Sequence, residues 1–269
     1  MSGDAVLEIR DVDFAYVAHH RVLEAISGRV TPGRLLVVLG PNGCGKTTLI
    51  EVLLGSLRPD RGEVRLLGKP HAAWRPAERA AHISFVPQTS SPGFAYSTRQ
   101  VVELGRYALA SDPPAIDRAL ADVALDDSAA RAFHELSAGQ RQRALFARAL
   151  YQTAAGGRVM LLDEPVSAMD LYWVHATLRR LRELAAGGLA VVVVLQDLSL
   201  AARYADDVWL LAEGRIVAAG PWSEVLDPAR LSSVYGLPIV REEPVANAGD
   251  DDEHAEETAR RPRFDARWK

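Results

Sequence analysis

The chain has 269 residues, 48% of them hydrophobic and 25% charged, with a formal net charge of −4. That is ordinary globular usage on a chain long enough to bury a core, and it lacks the basic excess of an electrostatic nucleic-acid binder. The one cysteine, Cys44, excludes an internal disulfide and suits a reducing compartment. Met1 to Arg10 lacks the basic-then-apolar pattern of a secretory signal, and the longest apolar run, Leu189 to Leu195, is too short to span a bilayer. Lysine is rare, at Lys46, Lys69 and Lys269 only, so each one is informative.

Leu7 to Phe14 reads as a strand, with Leu7, Ile9, Val12 and Phe14 as its apolar points. Leu35 to Leu39 is a wholly apolar run between Pro32-Gly33 and Gly40-Pro41, the pattern of a parallel strand buried on both faces. A helix is expected over about Lys46 to Leu54, and Val64 to Leu67 and Ile83 to Val86 are further strands. Between about Thr98 and Tyr151 apolar residues recur at helical steps, as at Ile116, Leu120 and Val123. Strands return at Val159 to Leu162, Ala190 to Leu195, Val208 to Leu211 and Ile216 to Ala219. Helices at about Leu171 to Ala186 and Leu198 to Tyr204 alternate with them. Such alternation predicts an α/β parallel core, about 1–88 and 152–243, with a helical subdomain, about 89–151, inserted into it. Beyond 243, Pro244 to Lys269 holds opposed clusters, Asp250-Asp251-Asp252-Glu253 and Arg260-Arg261-Pro262-Arg263, and reads as a disordered tail.

Gly40-Pro41-Asn42-Gly43-Cys44-Gly45-Lys46-Thr47-Thr48 matches GxxxxGK followed by Ser or Thr, with an apolar strand before it and a helix after. In this pattern glycines let backbone N–H groups curl around phosphate oxygens, Lys46 reaches the β- and γ-phosphates, and Thr47 ligates Mg²⁺. Thr48 sits where it can touch the α-phosphate. Cys44 is either a small filler or a reactive thiol inside the loop. Val159-Met160-Leu161-Leu162-Asp163-Glu164-Pro165 is an apolar strand ending in two acids. Asp163 suits Mg²⁺, directly or through water, and Glu164, on the other side of the strand, can polarise an attacking water. His19, His20, His71, His82, His134, His175 and His254 show no metal-ligand spacing.

Leu136-Ser137-Ala138-Gly139-Gln140 resembles the LSGGQ signature of ABC-transporter ATPases, with Ala138 in place of the first glycine. The family's other motifs follow in order, so the resemblance covers about residues 5 to 240. Tyr16 stands where the family stacks adenine, Gln88 matches the Q-loop glutamine, and Ser167-Ala168-Met169-Asp170 looks like the D-loop. The resemblance implies a P-loop NTPase fold, a RecA-like parallel core with an N-terminal antiparallel β region. It implies ATP contacts from Tyr16, the loop Gly40 to Thr48, Ser137, Gly139, Gln140 and Asp170. Mg²⁺ would be held by Thr47, Gln88 and Asp163, and catalysis carried by Glu164, Gln88 and Gln196. At Gln196 the family normally has a histidine that bonds the γ-phosphate, so this sequence departs from the pattern there. A natural variant and an introduced substitution both explain it.

Within the family, three segments resemble the importers of iron chelates (siderophores), haem and cobalamin. They are Gly93-Phe94-Ala95-Tyr96-Ser97 with Val101 to Arg106, Leu198 to Asp206, and Gly214 to Gly220 with Val225-Leu226. That resemblance implies a homodimer sandwiching two ATP, bound to membrane permease subunits at the cytoplasmic face of the cell membrane. A periplasmic substrate-binding protein would deliver the cargo, and no nucleic acid is implied. The rival readings are an ATPase for another cargo, a soluble ABC ATPase of DNA repair or translation, and a nucleotide clamp impaired in hydrolysis by Gln196.

Overall fold

A computed structural model describes residues 5–17, 20–88, 96–242 and 261–266. Two long strands, β1 (Leu7–Val17) and β2 (His20–Val30), pair antiparallel. The apolar β3 (Leu35–Leu39) then runs through a loop into α1 (Lys46–Leu54). Strands β4 (Arg61–Leu66) and β5 (Lys69–Pro70) complete a four-stranded sheet in the order β2-β1-β4-β5. After the short α2 (Pro76–Ala80) and β6 (Ile83–Val86) come α3 (Thr98–Glu103), α4 (Pro113–Ala121) and α5 (Ala138–Thr153). The chain returns through β7 (Val159–Asp163), α6 (Leu171–Ala186), β8 (Ala190–Val194) and α7 (Leu198–Tyr204). Next are β9 (Asp207–Ala212), β10 (Arg215–Pro221), α8 (Trp222–Val225) and α9 (Pro228–Tyr235). A last antiparallel pair, β11 (Ile239–Glu242) and β12 (Arg263–Ala266), closes the described chain.

The second sheet has the order β10-β9-β3-β8-β7-β6 and is parallel except at β10. Its central strands are apolar at every position because both faces are covered. Leu35, Val37 and Leu39 enter the apolar cluster under the helices, whereas Leu36 and Val38 enter the one shared with α1 and the antiparallel sheet. β7 and β8 divide the same way, Met160 and Leu162 against Val159 and Leu161, Val191 and Val193 against Val192 and Val194. The helical region packs α3 and α4 on α5 through Val101, Ile116, Leu120, Leu145 and Phe146. Among the described residues no helix is long and apolar enough to cross a membrane.

Strand β2 has no predicted counterpart, and the reason is local. Ala25 takes a left-handed φ of 50°, and the register of the pair shifts between Val12 and Phe14, so Leu23 and Ile26 both face inward three residues apart. A bulge of that kind destroys the period-two signal on which strand prediction depends. The disordered-tail reading of Pro244 to Lys269 is corrected at 261–266, where Arg263–Ala266 pairs with β11 and Phe264 packs on the main apolar cluster. Residues 243–260 and 267–269, like Gly93-Phe94-Ala95, His19 and His254 of the sequence reading, lie outside the described residues.

Candidate active site

Four parallel strands end side by side at one edge of the sheet, and each delivers a residue singled out in the sequence. β3 opens into the glycine-rich loop, β6 into Gln88, β7 into Asp163 and Glu164, and β8 into Gln196. Val86 lies opposite Leu162 and Asp163 opposite Val194, so Gln88, Glu164 and Gln196 leave the sheet within two residues of paired positions. The crevice outside the carboxyl ends of parallel strands is where α/β folds bind ligands.

Gly40 turns the chain out of β3 at φ 151°, and a Cβ there would lie 2.2 Å from the Leu211 carbonyl oxygen. Only glycine fits that turn. Lys46 opens α1 with 6% of its surface exposed, its Nζ donating to the carbonyls of Gly40 (2.8 Å) and Pro41 (3.0 Å). The ammonium is thus held inside the loop formed by Pro41, Asn42, Gly43, Cys44 and Gly45. Cys44 is buried, and that burial pushes its thiol up against the opposing pull of Lys46, so it behaves as a small filler. Thr48 is buried, with its hydroxyl 3.3 Å from that of Tyr16. Tyr16, 59% exposed, donates to Glu51 Oε2 (3.0 Å) and meets the Phe14 ring edge-on, leaving an aromatic surface beside the start of α1.

Asp163 ends β7 and is 3% exposed. Burial pushes its carboxyl above the usual carboxylate range, while a hydrogen bond from Thr47 and the charge of Lys46 oppose that rise. Its Oδ1 has no hydrogen-bond partner. An unpaired buried carboxylate oxygen is costly in a protein interior, and beside a threonine hydroxyl it forms the oxygen donor set of a hard cation. Thr47 and Asp163 therefore fit Mg²⁺.

Glu164 adopts a left-handed φ of 45°, a conformation costing about 1–3 kcal/mol that persists only when its surroundings enforce it. Two glutamines hold this residue, one by its carboxylate and one by its backbone. Gln88 Nε2 donates to Glu164 Oε2 (3.0 Å), and Gln142 Nε2 donates to the Glu164 carbonyl (3.1 Å). Gln142, 5% exposed, also donates to Ser167 Oγ (3.0 Å) and accepts from the Ala168 N–H (2.9 Å). It thereby binds α5 to the whole segment from Glu164 to Ala168. Sequence reading missed Gln142, because nothing about a glutamine in a helix signals three bonds to one distant loop. It also missed Tyr235 on α9, whose hydroxyl, pushed up to about 12 by burial with Cys44 beside it, lies against the glycine-rich loop. Gln196 is exposed at the end of β8, next to Asp197, which caps α7.

Ser137, Gly139, Gln140 and Asp170 form a second cluster. Ser137 and Gln140 make a reciprocal cap at the start of α5, Oγ accepting from the Gln140 N–H (3.2 Å) and Gln140 Oε1 from the Ser137 N–H (2.9 Å). Gly139 lies so close to the 167–170 segment that a Cβ would sit 2.8 Å from the Ala168 carbonyl oxygen. Asp170 caps α6 by accepting from the Trp173 N–H (3.0 Å). These residues line a cleft of about 370 Å³ that also holds Arg143 and Trp173 and that no residue of the glycine-rich loop lines. The structure thus brings Gln88, Asp163, Glu164 and Lys46 to one sheet edge and sets the Ser137 cluster apart.

A phosphate loop on a parallel sheet, an acidic pair at the neighbouring strand tip and a separate serine-glycine helix start define an ATP-binding cassette. The ABC transporter family profile matches residues 23–167, and the chain belongs to that family of ATP-hydrolysing domains. It is 44% identical to the hemin import ATP-binding protein HmuV of Pseudomonas entomophila over 81% of this chain and 88% of the relative. It is 41% identical to the HmuV of Thermobifida fusca, over 88% and 84%. Among solved structures it resembles a chain of a metal-chelate type ABC transporter in an inward-facing conformation, with a TM-score of 0.80, 28% identity and 99% of each chain covered. It also resembles cbiO1 of Clostridium perfringens, part of the cbiONQ transporter complex (TM-score 0.72, 26% identity, 86% and 94% covered).

Proposed function

We propose that this chain is the ATP-hydrolysing subunit of an importer for haem or a related iron chelate. It works as a homodimer at the cytoplasmic face of the cell membrane, bound to permease subunits that a periplasmic binding protein loads. The observation that carries the catalytic reading is the arrangement of the β7 tip. Asp163 offers an unpaired buried oxygen beside Thr47, while the Glu164 carboxylate is held by Gln88. The cargo rests on the similarity to the hemin import proteins.

Each residue has a definable task. The loop Gly40 to Gly45 and the Lys46 ammonium hold the β- and γ-phosphates, and Thr48 lies next to them. Tyr16 offers its exposed ring to the adenine. Thr47 and Asp163 hold Mg²⁺, with the Gln88 carbonyl oxygen available because its amide nitrogen is committed to Glu164. When bound, Mg²⁺ offsets phosphate charge. Glu164 takes a proton from the attacking water as that water's oxygen bonds to the γ-phosphorus and the bond to the ADP oxygen breaks. Gln196 donates one hydrogen bond to the γ-phosphate. Ser137, Gly139 and Gln140 supply a helix N-terminus, an anion site by its exposed N–H groups, for the ATP held by the partner subunit. That they line a cleft free of loop residues favours a role across a dimer, with Asp170 at the same seam.

One observation favours a second reading. Gln196 cannot carry the charge of an imidazolium, so a nucleotide clamp that hydrolyses slowly is the alternative. Reconstitution with the permease in proteoliposomes tests the proposal. Binding protein loaded with haem or a ferric siderophore is expected to raise ATP turnover above that given by cobalamin. Equal turnover with all three, or stimulation by cobalamin alone, would overturn the cargo assignment.

A further inference from the structure

Helix α7 starts two residues after Gln196 and is only seven residues long. Helices of that length are not self-supporting and depend on their contacts. Both ends of α7 are held. At its start, Asp197 Oδ1 accepts from the N–H groups of Ser199 (2.7 Å) and Leu200 (2.9 Å). At its end, Arg261 Nη1 donates to the carbonyls of Ala202 (3.2 Å) and Ala205 (2.8 Å), and the same guanidinium lies 5.0 Å from the centre of the Trp222 ring. A cation on the open carbonyls at a helix carboxyl end satisfies them and complements the helix dipole. Between the two ends, Ser199 Oγ accepts from the Phe264 N–H (3.0 Å). Phe264 is anchored in turn, opposite Arg241 in the β11–β12 pair and against the main apolar cluster. Residues 261–266 therefore form a strap across α7, far in sequence from every motif of the nucleotide site.

We propose that this strap is a positioning element for hydrolysis. By clamping α7, Arg261 and Phe264 hold Gln196 in place at the end of β8. Gln196 is exposed and has β8 on one side and α7 on the other, so the orientation of its amide depends on how firmly α7 is seated. The inference rests on the reading of Gln196 as the γ-phosphate donor. The contacts described for Arg261 and Phe264 are with α7 and Trp222 and not with the glycine-rich loop or the β7 tip, so the effect is expected on the chemical step and not on ATP affinity.

The test uses the full chain with its permease, and measures kcat, KM for ATP and ATP affinity. Arg261→Ala should lower kcat by about threefold to tenfold, the scale of one weakened phosphate hydrogen bond, with KM within about twofold of wild type. Arg261→Lys, which keeps a cation at the helix end, should restore most of that loss. Ser199→Ala, which removes one strap contact without emptying the core, should give a smaller loss of the same kind and decides the matter if Arg261→Ala folds poorly. In a Gln196→Ala background neither variant should lower kcat further. Wild-type kcat in both Arg261→Ala and Ser199→Ala would overturn the strap, as would an equal loss in the presence and absence of Gln196. Wild-type turnover in Gln196→Ala alone would instead overturn the reading of Gln196, and the strap's role with it.

Discussion

Replacing Gln142 by leucine probes the least expected part of the site. The side chain is 5% exposed and makes three hydrogen bonds, to the Glu164 carbonyl, Ser167 Oγ and the Ala168 N–H. Leucine fills much of the volume but leaves those partners stranded. Ser167 can turn to water, so two backbone groups bear the loss, and at about 1–2 kcal/mol each Gln142→Leu should destabilise the fold by roughly 2–4 kcal/mol. Urea unfolding followed by circular dichroism reads this as a lower midpoint at unchanged slope. Because Gln142 also enforces the left-handed Glu164 backbone, ATP turnover should fall more than ATP affinity. Gln142→Glu, which keeps the acceptor for Ala168 but sets a buried carboxylate against the Glu164 carbonyl oxygen, should destabilise at least as much. A leucine variant within about 0.5 kcal/mol of wild type and with full turnover would show that Gln142 does not hold the Glu164 segment.

Gln196→His should raise turnover by roughly tenfold with little change in nucleotide affinity, since an imidazolium restores a charge-assisted bond to phosphate; unchanged or lower turnover would mean the site is adapted to glutamine. Cys44, buried and with its thiol pushed up, should react slowly with N-ethylmaleimide at neutral pH and quickly in urea, and fast labelling of folded protein would refute that. His71 has both ring nitrogens buried without partners, and burial, aided by Arg79, lowers its pKa from 6.5 to about 4. The unfolded chain therefore takes up this proton first, so stability is full above pH 6.5 and falls as pH drops from there towards about 4. His71→Phe should lose less stability than wild type between neutral and mildly acid pH, and equal losses in urea midpoints would count against the assignment.

The sequence was most legible where local chemistry and long-range structure agree. Lys46 is a rare lysine in a glycine-rich loop between an apolar strand and a helix, and it opens α1 as that pattern predicts. The run at Leu35 reads as a buried parallel strand because both faces of the sheet are covered, which leaves no polar position in it. β2 was illegible because a bulge at Ala25 shifts its inward residues off the alternating period. The contacts of Gln142 and Arg261 depend on tertiary placement, one across 22 to 26 positions of sequence and the other across 56 to 59. The tail misled for a related reason. Its opposed charges suggest solvation, yet Arg261 spends its charge on helix carbonyls and Phe264 supplies the apolar anchor.

We assign Glu164, held by Gln88 and Gln142 at the tip of β7, as the base for ATP hydrolysis at the Lys46 loop. Phosphate release by the chain in complex with its permease, compared between wild type and Glu164→Gln with ATP binding measured on the same samples, tests it most directly. Glu164→Gln should bind ATP within about twofold of wild type, release phosphate about a hundredfold more slowly or worse, and accumulate as an ATP-bound dimer. Phosphate release by Glu164→Gln at the wild-type rate would contradict it.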